Sequence, residues 1–253
     1  METTAKYRPN LEVASDAETL ADRSVQLFVT AAQEAIHERG AFHVALSGGH
    51  TPERFFQRLA ASPEATALPW EKMHAFWVDE RYVPPDSEAS NYRLAADGFL
   101  DKVDIPPANV HRIPTEHEDI CEAAHAYERV IREVFGMGEH EIPEFDLVVL
   151  GMGDDGHTGS LFPNSYATFD MQDLVCAVYF LEGALNRITL TPPVLLAARR
   201  LAVLVSGLEK AHILKDVLAS EPDEVKYPIH VLWPVLEKVT WLVDRDAARG
   251  IAV

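Results

Sequence analysis

The sequence has 253 residues, of which 47% are hydrophobic and 25% are charged. A chain of this length and composition buries a substantial core, which disfavours disorder as its main state. Its 22 basic and 40 acidic residues give a formal net charge of −18 at pH 7. Such a surface repels nucleic acid and anionic membranes, so we expect neither as a partner. An anionic ligand would need a pocket of local positive charge.

The cysteines and the N-terminus favour a cytoplasmic location. Cys121 and Cys176 are far apart in the sequence, which indicates neither a disulfide framework nor a metal cluster and fits a reducing compartment. Residues 1–14 are polar and lack the apolar core of a signal peptide. No apolar run approaches the ~20 residues of a membrane-spanning helix.

The first predicted elements are a helix, a strand and a helix. Ser15 and Glu18 have the spacing of a capping box, apolar residues then recur at helical intervals, and Gly40 ends the predicted helix. The short apolar run Phe42–Leu46 predicts a strand. The Thr51-Pro52 pair predicts the N-cap and the first residue of the next helix.

The rest of the chain continues this alternation. Residue patterns predict strands at 73–78, 145–150, Arg187–Leu190, Leu201–Val205 and 239–243, and helices at 123–135 and 211–218. Alternating strands and helices predict an α/β fold with a largely parallel, Rossmann-like sheet flanked by helices. The Pro-rich segment 105–114 is interpreted as a loop, because both of its flanks fit the same alternation. We therefore predict a single domain over residues 1–253.

Four loops of unusual composition follow predicted strands. They cover residues 47–52, 79–81, 151–157 and 206–210. In open parallel sheets, ligands bind beyond the carboxyl ends of the strands. If the sheet is parallel here, all four loops face one crevice, which is the predicted ligand site.

The first of these loops is a candidate phosphate site. Gly48 and Gly49 allow a sharp backbone turn just before a helix N-terminus, whose N–H groups and dipole favour an anion. The hydroxyls of Ser47 and Thr51 can add donors to such a phosphate nest. A tight strand-to-helix turn with no ligand explains the same residues, so the loop alone leaves both interpretations open.

Three cations in or beside these loops are candidates for holding an anion. Lys210 opens a helix and can reach a phosphate as a point charge, although a lone lysine is more often a solvated surface residue. Arg187 opens a predicted strand, either as an edge residue or as an anion clamp. Arg81 lies beside two carboxylates, so a structural ion pair is its alternative role.

The third loop carries the candidate acid–base residue. Its glycines have the G-x-G-x-x-G spacing of a dinucleotide site, but its two aspartates would repel a pyrophosphate and no periodic helix follows. His157 is suited to proton transfer near neutral pH, and Asp155 can orient it and stabilise its cation. A lone histidine is more often structural. Its position in a Gly-rich loop at a strand end, opposite a possible phosphate nest, favours a catalytic role.

Other catalytic patterns are missing from the sequence. It has no Gly-x-Ser-x-Gly elbow of a serine hydrolase. His111, His117, His125 and His140 form no zinc-ligand pattern with cysteine and no His-Glu-x-x-His helix. We interpret these histidines as surface or core residues.

Taken together, six segments resemble the successive motifs of the 6-phosphogluconolactonase family. They are residues 46–52 (LSGGHTP), 77–84, 90–92, 151–163 (GMGDDGHTGSLFP), 187–191 and 206–211, in the order that the family has them. They span most of the chain, and the combination is specific although each segment alone is weak. The resemblance implies an α/β fold related to that of the glucosamine-6-phosphate deaminases, with no metal and no organic cofactor.

The resemblance also implies roles for individual residues. It implies phosphate binding by one loop and two cations: residues 47–51, Arg187 and Lys210. It implies an acid–base histidine with three neighbours lining the site: His157, Asp155, Asp79 and Arg81. The implied reaction is hydrolysis of 6-phospho-D-glucono-1,5-lactone to 6-phosphogluconate, with this phosphosugar lactone as the small-molecule partner.

Two other functions remain open. A sugar-phosphate isomerase or deaminase of the glucosamine-6-phosphate type would share the scaffold, and a non-catalytic sugar-phosphate sensor would keep the phosphate loop without needing His157. The related deaminases carry a glutamate just before a proline, five residues after the histidine. Phe162 takes that position here, and a phenyl ring neither donates nor accepts a proton. The intact Asp155 and His157 favour an enzyme over a sensor.

Overall fold

The computed structural model describes residues 9–180 and 183–251. The strands in this part of the chain are β1 (Asn10–Ala14), β2 (Phe42–Leu46), β3 (Met73–Trp77), β4 (Asp79–Arg81), β5 (Val110–His111), β6 (Leu147–Gly151), β7 (Val175–Val178), β8 (Arg187–Leu190), β9 (Leu201–Val205) and β10 (Val239–Asp244). Its α-helices are α1 (Ala17–Arg39), α2 (His50–Ala61), α3 (Pro63–Thr66), α4 (Asn91–Gly98), α5 (Ile120–Phe135), α6 (Pro192–Ala197) and α7 (Ala211–Ala219).

The strands form two sheets of different kinds. Seven of them make a parallel sheet in the order β1-β10-β9-β6-β2-β3-β5. The other three make a small antiparallel sheet in the order β4-β8-β7. The central strands β6 and β9 read as continuous apolar runs and are almost wholly buried, as expected for parallel strands covered on both faces.

The strand order reverses at β2, and this fixes where a ligand can bind. From β2 the chain builds outward to β3 and β5 on one side, whereas β6, β9, β10 and β1 lie on the other. The loops that follow β2 and β6 therefore diverge and leave a crevice at the carboxyl ends of these strands. Open α/β sheets bind their ligands at such a switch point.

The predicted α/β class is confirmed, and strands β2, β8 and β9 have the predicted bounds. The antiparallel sheet was not predicted. β8 is its central strand and not part of the parallel sheet, which excludes the edge-residue interpretation of Arg187. The prediction of one domain over residues 1–253 stays a prediction.

Both predicted N-caps, Ser15 and Thr51, are wrong. The N-cap of α1 is Asp16, whose carboxylate accepts from the Thr19 N–H at 2.8 Å, because an ionised carboxylate is a strong acceptor at a helix N-terminus. The N-cap of α2 is Gly49 and not Thr51, since Gly49 makes the turn at φ 109° and the helix begins at His50. Thr51 therefore lies inside the first turn of α2, with its hydroxyl free of a capping role.

Within residues 9–180 and 183–251, no helix is long and apolar enough to cross a bilayer.

Candidate functional site

The four loops predicted to converge do so, in one pocket at the switch point of the parallel sheet. The pocket is lined from β2 and α2 on one side and from the loops after β6 and β9 on the other. The predicted site residues in its wall are Ser47, Gly48, Gly49, Thr51, Asp79, Arg81, His157, Arg187 and Lys210. Asp155 is not part of this wall and touches the site through His157.

The loop after β2 presents backbone donors to the pocket. Its start is held by the Ser47 N–H, which donates to the Val149 carbonyl at 3.1 Å, and α2 then begins at His50. The first N–H groups of a helix have no partner within the helix, and they favour an anion. The Ser47 hydroxyl is buried and has no hydrogen-bond partner among the described residues. This end of the pocket therefore has the donors that the predicted phosphate nest requires.

Two arginines stand opposite each other at the edge of the pocket. Arg81 of β4 and Arg187 of β8 are direct antiparallel partners. Burial, and then the neighbouring Arg81 guanidinium, lower the pKa of Arg187. Like charges directly opposite on a sheet are destabilising, so this pair fits a place where an anion binds.

The ion pair considered for Arg81 is not formed within the described part of the chain. The Arg81 guanidinium donates to the Ala89 carbonyl at 2.8 Å, and its pairing partner across the sheet is Arg187. The neighbouring carboxylate of Glu80 turns into the protein, where it accepts from the backbone N–H groups of Asn91 and Tyr92. Arg81 therefore keeps its charge directed to the pocket side of the sheet.

The third cation, Lys210, lies across the pocket at the start of α7. Its Nζ lies 2.5 Å from the Asp154 carboxylate, which is 80% exposed. The loop that carries Lys210 is anchored by the buried Asp244 at the end of β10. The Asp244 carboxylate accepts from the Ser206 hydroxyl at 2.5 Å and from the Gly207 N–H at 3.1 Å. Asp244 thus fixes the loop after β9 without facing the pocket.

His157 and Asp155 form a hydrogen-bonded pair. Nδ1 of His157 lies 2.5 Å from Oδ1 of Asp155, and the same oxygen accepts from the His157 backbone N–H at 3.1 Å. Burial tends to raise the pKa of the Asp155 carboxyl, but its contacts with His157 outweigh this and bring the pKa below its ordinary value. With Nδ1 engaged, the other ring nitrogen, Nε2, is left for chemistry in the pocket.

A glycine of this loop leaves room for the histidine ring. A Cβ on Gly153 would lie 2.1 Å from the His157 ring, so the ring packs directly on a bare backbone. On its other side the ring contacts Phe162, with centroids 4.4 Å apart. No helix follows β6 within the described residues up to 165, in agreement with the prediction that no periodic helix follows this loop. The loop holds an imidazole in place between Gly153 and Phe162.

Asp79 is a buried carboxylate at the start of β4. It is 6% exposed, and its Oδ2 accepts from the Ser160 hydroxyl at 2.7 Å. No role was predicted from the sequence for Ser160, Asn91 or Asp244. Ser160 follows the histidine motif, and Asn91 lies in the 90–92 segment of the family resemblance. No pattern in the sequence marked Asp244 as a residue that supports the site.

The described residues contain no group of three or more His, Cys, Asp or Glu side chains arranged to hold a metal ion. Both cysteines are free, Cys121 exposed and Cys176 buried. The pocket wall itself offers an imidazole, carboxylates and cations.

The fold and the pocket define an α/β protein with a candidate site at the switch point of its parallel sheet. Comparison with known proteins identifies the family. Residues 15–241 match the family of glucosamine-6-phosphate isomerases and 6-phosphogluconolactonases. The chain belongs to this family, as the resemblance implied.

Individual relatives and solved structures agree. A 6-phosphogluconolactonase of Synechocystis sp. is 40% identical over 243 residues, covering 96% of this chain and 98% of the relative. One from Haemophilus influenzae is 36% identical, covering 82% of this chain and 86% of the relative. The crystal structure of 6-phosphogluconolactonase from Thermotoga maritima superposes with a TM-score of 0.79 at 31% identity, covering 94% of this chain and all of that one.

Proposed function

We propose that this chain is a lactone hydrolase that opens 6-phospho-D-glucono-1,5-lactone to 6-phosphogluconate, a step of the oxidative pentose phosphate pathway. The observation that carries the proposal is the pairing of His157 with Asp155 in a pocket that also holds three cations. In a chain of net charge −18, such a pocket is suited to a phosphorylated substrate with a hydrolysable bond.

In the proposed mechanism His157 acts as the general base. A lactone is an activated ester, so a positioned water can attack its C1 carbonyl without a covalent enzyme intermediate. Nε2 of His157 takes the proton of this water, while Asp155 holds the Nδ1–H tautomer and stabilises the imidazolium. The low pKa of the Asp155 carboxyl keeps it ionised at neutral pH. The imidazolium then protonates the departing ring oxygen.

The phosphate serves as the anchor. The first turn of α2, with Arg187 and Lys210, surrounds it with donors and positive charge. Fixing this remote group orients the sugar ring toward His157. The binding energy of the phosphate is thereby used to accelerate the reaction. The carbonyl oxygen gains negative charge during attack, and Arg81 in the pocket wall is the candidate donor to it.

The deaminase alternative is disfavoured by Phe162. Ring opening and deamination need more proton transfers than lactone hydrolysis, and the related deaminases place a glutamate at this position. Here the phenyl ring contacts His157 at 4.4 Å between centroids and offers no proton. A sensor would have no need of the His157 and Asp155 pair.

The test is to add purified protein to fresh 6-phosphogluconolactone and follow proton release. Spontaneous hydrolysis also releases protons, so the enzyme must accelerate the reaction clearly above a buffer blank. The same preparation is incubated with glucosamine 6-phosphate, and ammonia and fructose 6-phosphate are measured. Turnover of the amino sugar comparable to that of the lactone would replace the lactonase assignment with the deaminase one.

We also propose that the protein works in the cytoplasm and binds neither nucleic acid nor membrane. Two free cysteines and the acidic surface support this. Cell fractionation with antibody detection checks the location, and recovery in a membrane or secreted fraction would contradict it.

A further inference from the structure

Asn91 lies in the wall of the pocket, yet the mechanism above gives it no part. It is the first residue of α4 and is only 2% exposed. Its backbone N–H donates to the buried carboxylate of Glu80 at 2.7 Å, and the Ser90 hydroxyl and the Tyr92 N–H donate to the same carboxylate. The start of α4 is thereby bound to β4 between Asp79 and Arg81.

The hydrogen bonds determine how the Asn91 amide is oriented. Its Nδ2 donates to the Asp79 carbonyl at 2.8 Å, and since a carbonyl only accepts, the NH₂ end must face β4. Oδ1 therefore points away from β4. It is buried and has no hydrogen-bond partner among the described residues. Native proteins rarely leave a buried acceptor in this state, so the position of Asn91 requires an explanation.

Oδ1 of Asn91 lies against Gly48 in the anion-binding loop, residues 47–49. A Cβ on Gly48 would lie 1.9 Å from Oδ1 and 2.4 Å from Cγ of Asn91. The asparagine side chain thus occupies the space that any side chain at position 48 would take. One side chain therefore touches both the loop after β2 and the strand that carries Asp79 and Arg81.

We propose that Asn91 is a positioning residue that holds the anion-binding loop at a fixed distance from β4. Its amide spans the gap between Gly48 and the Asp79 carbonyl, so a phosphate held by the loop presents the rest of the substrate in register with Asp79 and Arg81. The inference rests on the proposed lactonase function, because it concerns how that site holds its phosphate. Asn91 itself takes no part in the bond-making step.

Two single substitutions separate this role from a general loss of stability. Asn91→Ala removes the support of the loop, and Gly48→Ala pushes the loop away from the asparagine. Each should raise KM for the lactone and weaken inorganic phosphate binding together, by about tenfold, with a smaller change in kcat. A merely structural defect would lower the active fraction, and so the apparent kcat, without changing KM.

The decisive comparison is the double variant. If the two side chains compete for one space, Asn91→Ala should relieve part of the clash in Gly48→Ala, so that the combined loss is smaller than the product of the single losses. Asn109→Ala is the control, since Asn109 makes a similar amide bond to the Glu71 carbonyl at 3.0 Å away from the pocket. It should leave both constants unchanged.

KM is measured with fresh lactone, and phosphate binding by titration calorimetry, on variants whose folding circular dichroism has verified. Asn91→Ser replaces the alanine variant if that one does not fold. Constants within twofold of wild type for Asn91→Ala, or single effects that multiply in the double variant, would overturn the inference. If the wild-type protein does not open the lactone but the single and double variants lose phosphate affinity as expected, the lactonase proposal fails and the inference about Asn91 stands. If lactone is opened but phosphate never binds, the inference fails alone.

Discussion

At the scale of single residues, the pocket brings three positively charged side chains together in a chain that is strongly acidic as a whole. Arg81 and Arg187 face each other across β4 and β8, and Lys210 approaches from the loop after β9. The repulsion between the two guanidiniums is relieved when an anion lies between them and the third cation. This arrangement of cations agrees with the proposal that the substrate is a phosphate ester and not a neutral sugar.

Arg187→Ala and Lys210→Ala should each raise KM for the lactone. A charge-assisted contact to phosphate is worth about 1.5–3 kcal/mol, which corresponds to roughly a 10- to 150-fold change. Inorganic phosphate should compete with the lactone in wild type and compete less in both variants. Steady-state kinetics with and without phosphate provide the measurement. An unchanged KM in both variants, with no inhibition by phosphate, would require another anion site.

Asp154→Asn should have the opposite effect. Asp154 holds Lys210 at 2.5 Å and adds a negative charge to the pocket wall, so it competes with phosphate for the lysine. Asp154 is 80% exposed. An ion pair with such a solvated partner contributes at most about 1 kcal/mol, so KM should fall by no more than about fivefold. The gain should shrink at high salt. A KM that rises would mean that Asp154 orients Lys210 instead of competing for it.

A site residue can be predicted from the sequence when the residues that indicate its role lie near it in the chain. His157 and Asp155 belong to one short loop, and Gly48 and Gly49 to another, so their types and spacing already predicted a site. Asn91 and Asp244 act through contacts with residues distant in sequence, and no local pattern marks such contacts. The roles assigned to the site residues stay predictions until variants are measured.

At the scale of elements, the end of β3 shows how a helix can replace a missing strand. β5 has two residues and pairs with Ala75 and Phe76, so the backbone of Trp77 has no strand partner on that side. The buried Tyr127 of α5 takes this place, accepting from the Trp77 N–H at 2.8 Å and donating to its carbonyl at 2.9 Å. The bond holds the chain just before Asp79 enters the site.

Tyr127→Phe should therefore destabilise the fold. It removes one oxygen and leaves the buried N–H and carbonyl of Trp77 without partners, which costs about 1–3 kcal/mol. Urea unfolding at pH 7 measures the free energy. Tyr166→Phe is the matched control, because Tyr166 is 56% exposed, and its effect should be small. A loss no larger than that of the control would show that Tyr127 is not needed at this end of β3.

Strands were predicted correctly where apolar residues form a continuous run. They were missed where contacts with another part of the chain determine the structure. The apolar runs of β2 and β9 are buried and have the predicted bounds. β4 is a three-residue strand with the sequence Asp-Glu-Arg, which has no strand pattern and pairs only because β8 lies beside it. The two predicted N-caps, of α1 and α2, were misplaced by one and two residues.

At the scale of the whole molecule, a row of histidines crosses the parallel sheet. His43, His74 and His111 lie on adjacent strands, with ring centroids 5.0 Å and 5.3 Å apart. Burial, and then the neighbouring histidines, lower the pKa of His111 to about 4 and also lower that of His74. The folded protein therefore holds both rings neutral at pH values where free histidine begins to take up protons.

This row should make the fold sensitive to acid. As pH falls from about 6.5 to about 4, the unfolded chain protonates His74 and His111 before the folded chain does. The unfolded chain therefore binds more protons, and the free energy of unfolding decreases. Urea unfolding at pH 7, 6 and 5 measures the decrease, and His111→Phe should reduce it. His140→Phe, at an exposed histidine, should not. If the free energy of unfolding depended on pH equally in wild type and in His111→Phe, the row of histidines would not be the cause of the acid sensitivity.

The central claim is that His157 moves the proton in lactone opening, and its substitution by alanine tests this most directly. The measurement is kcat/KM for His157→Ala on fresh 6-phosphogluconolactone, with spontaneous hydrolysis subtracted and His140→Ala as the control. General acid–base catalysis is worth about 10²- to 10⁴-fold, so kcat/KM should fall by that factor. The melting temperature should stay near that of wild type, since the His157 side chain is 30% exposed. Activity within a few-fold of wild type in a folded variant would contradict the mechanism.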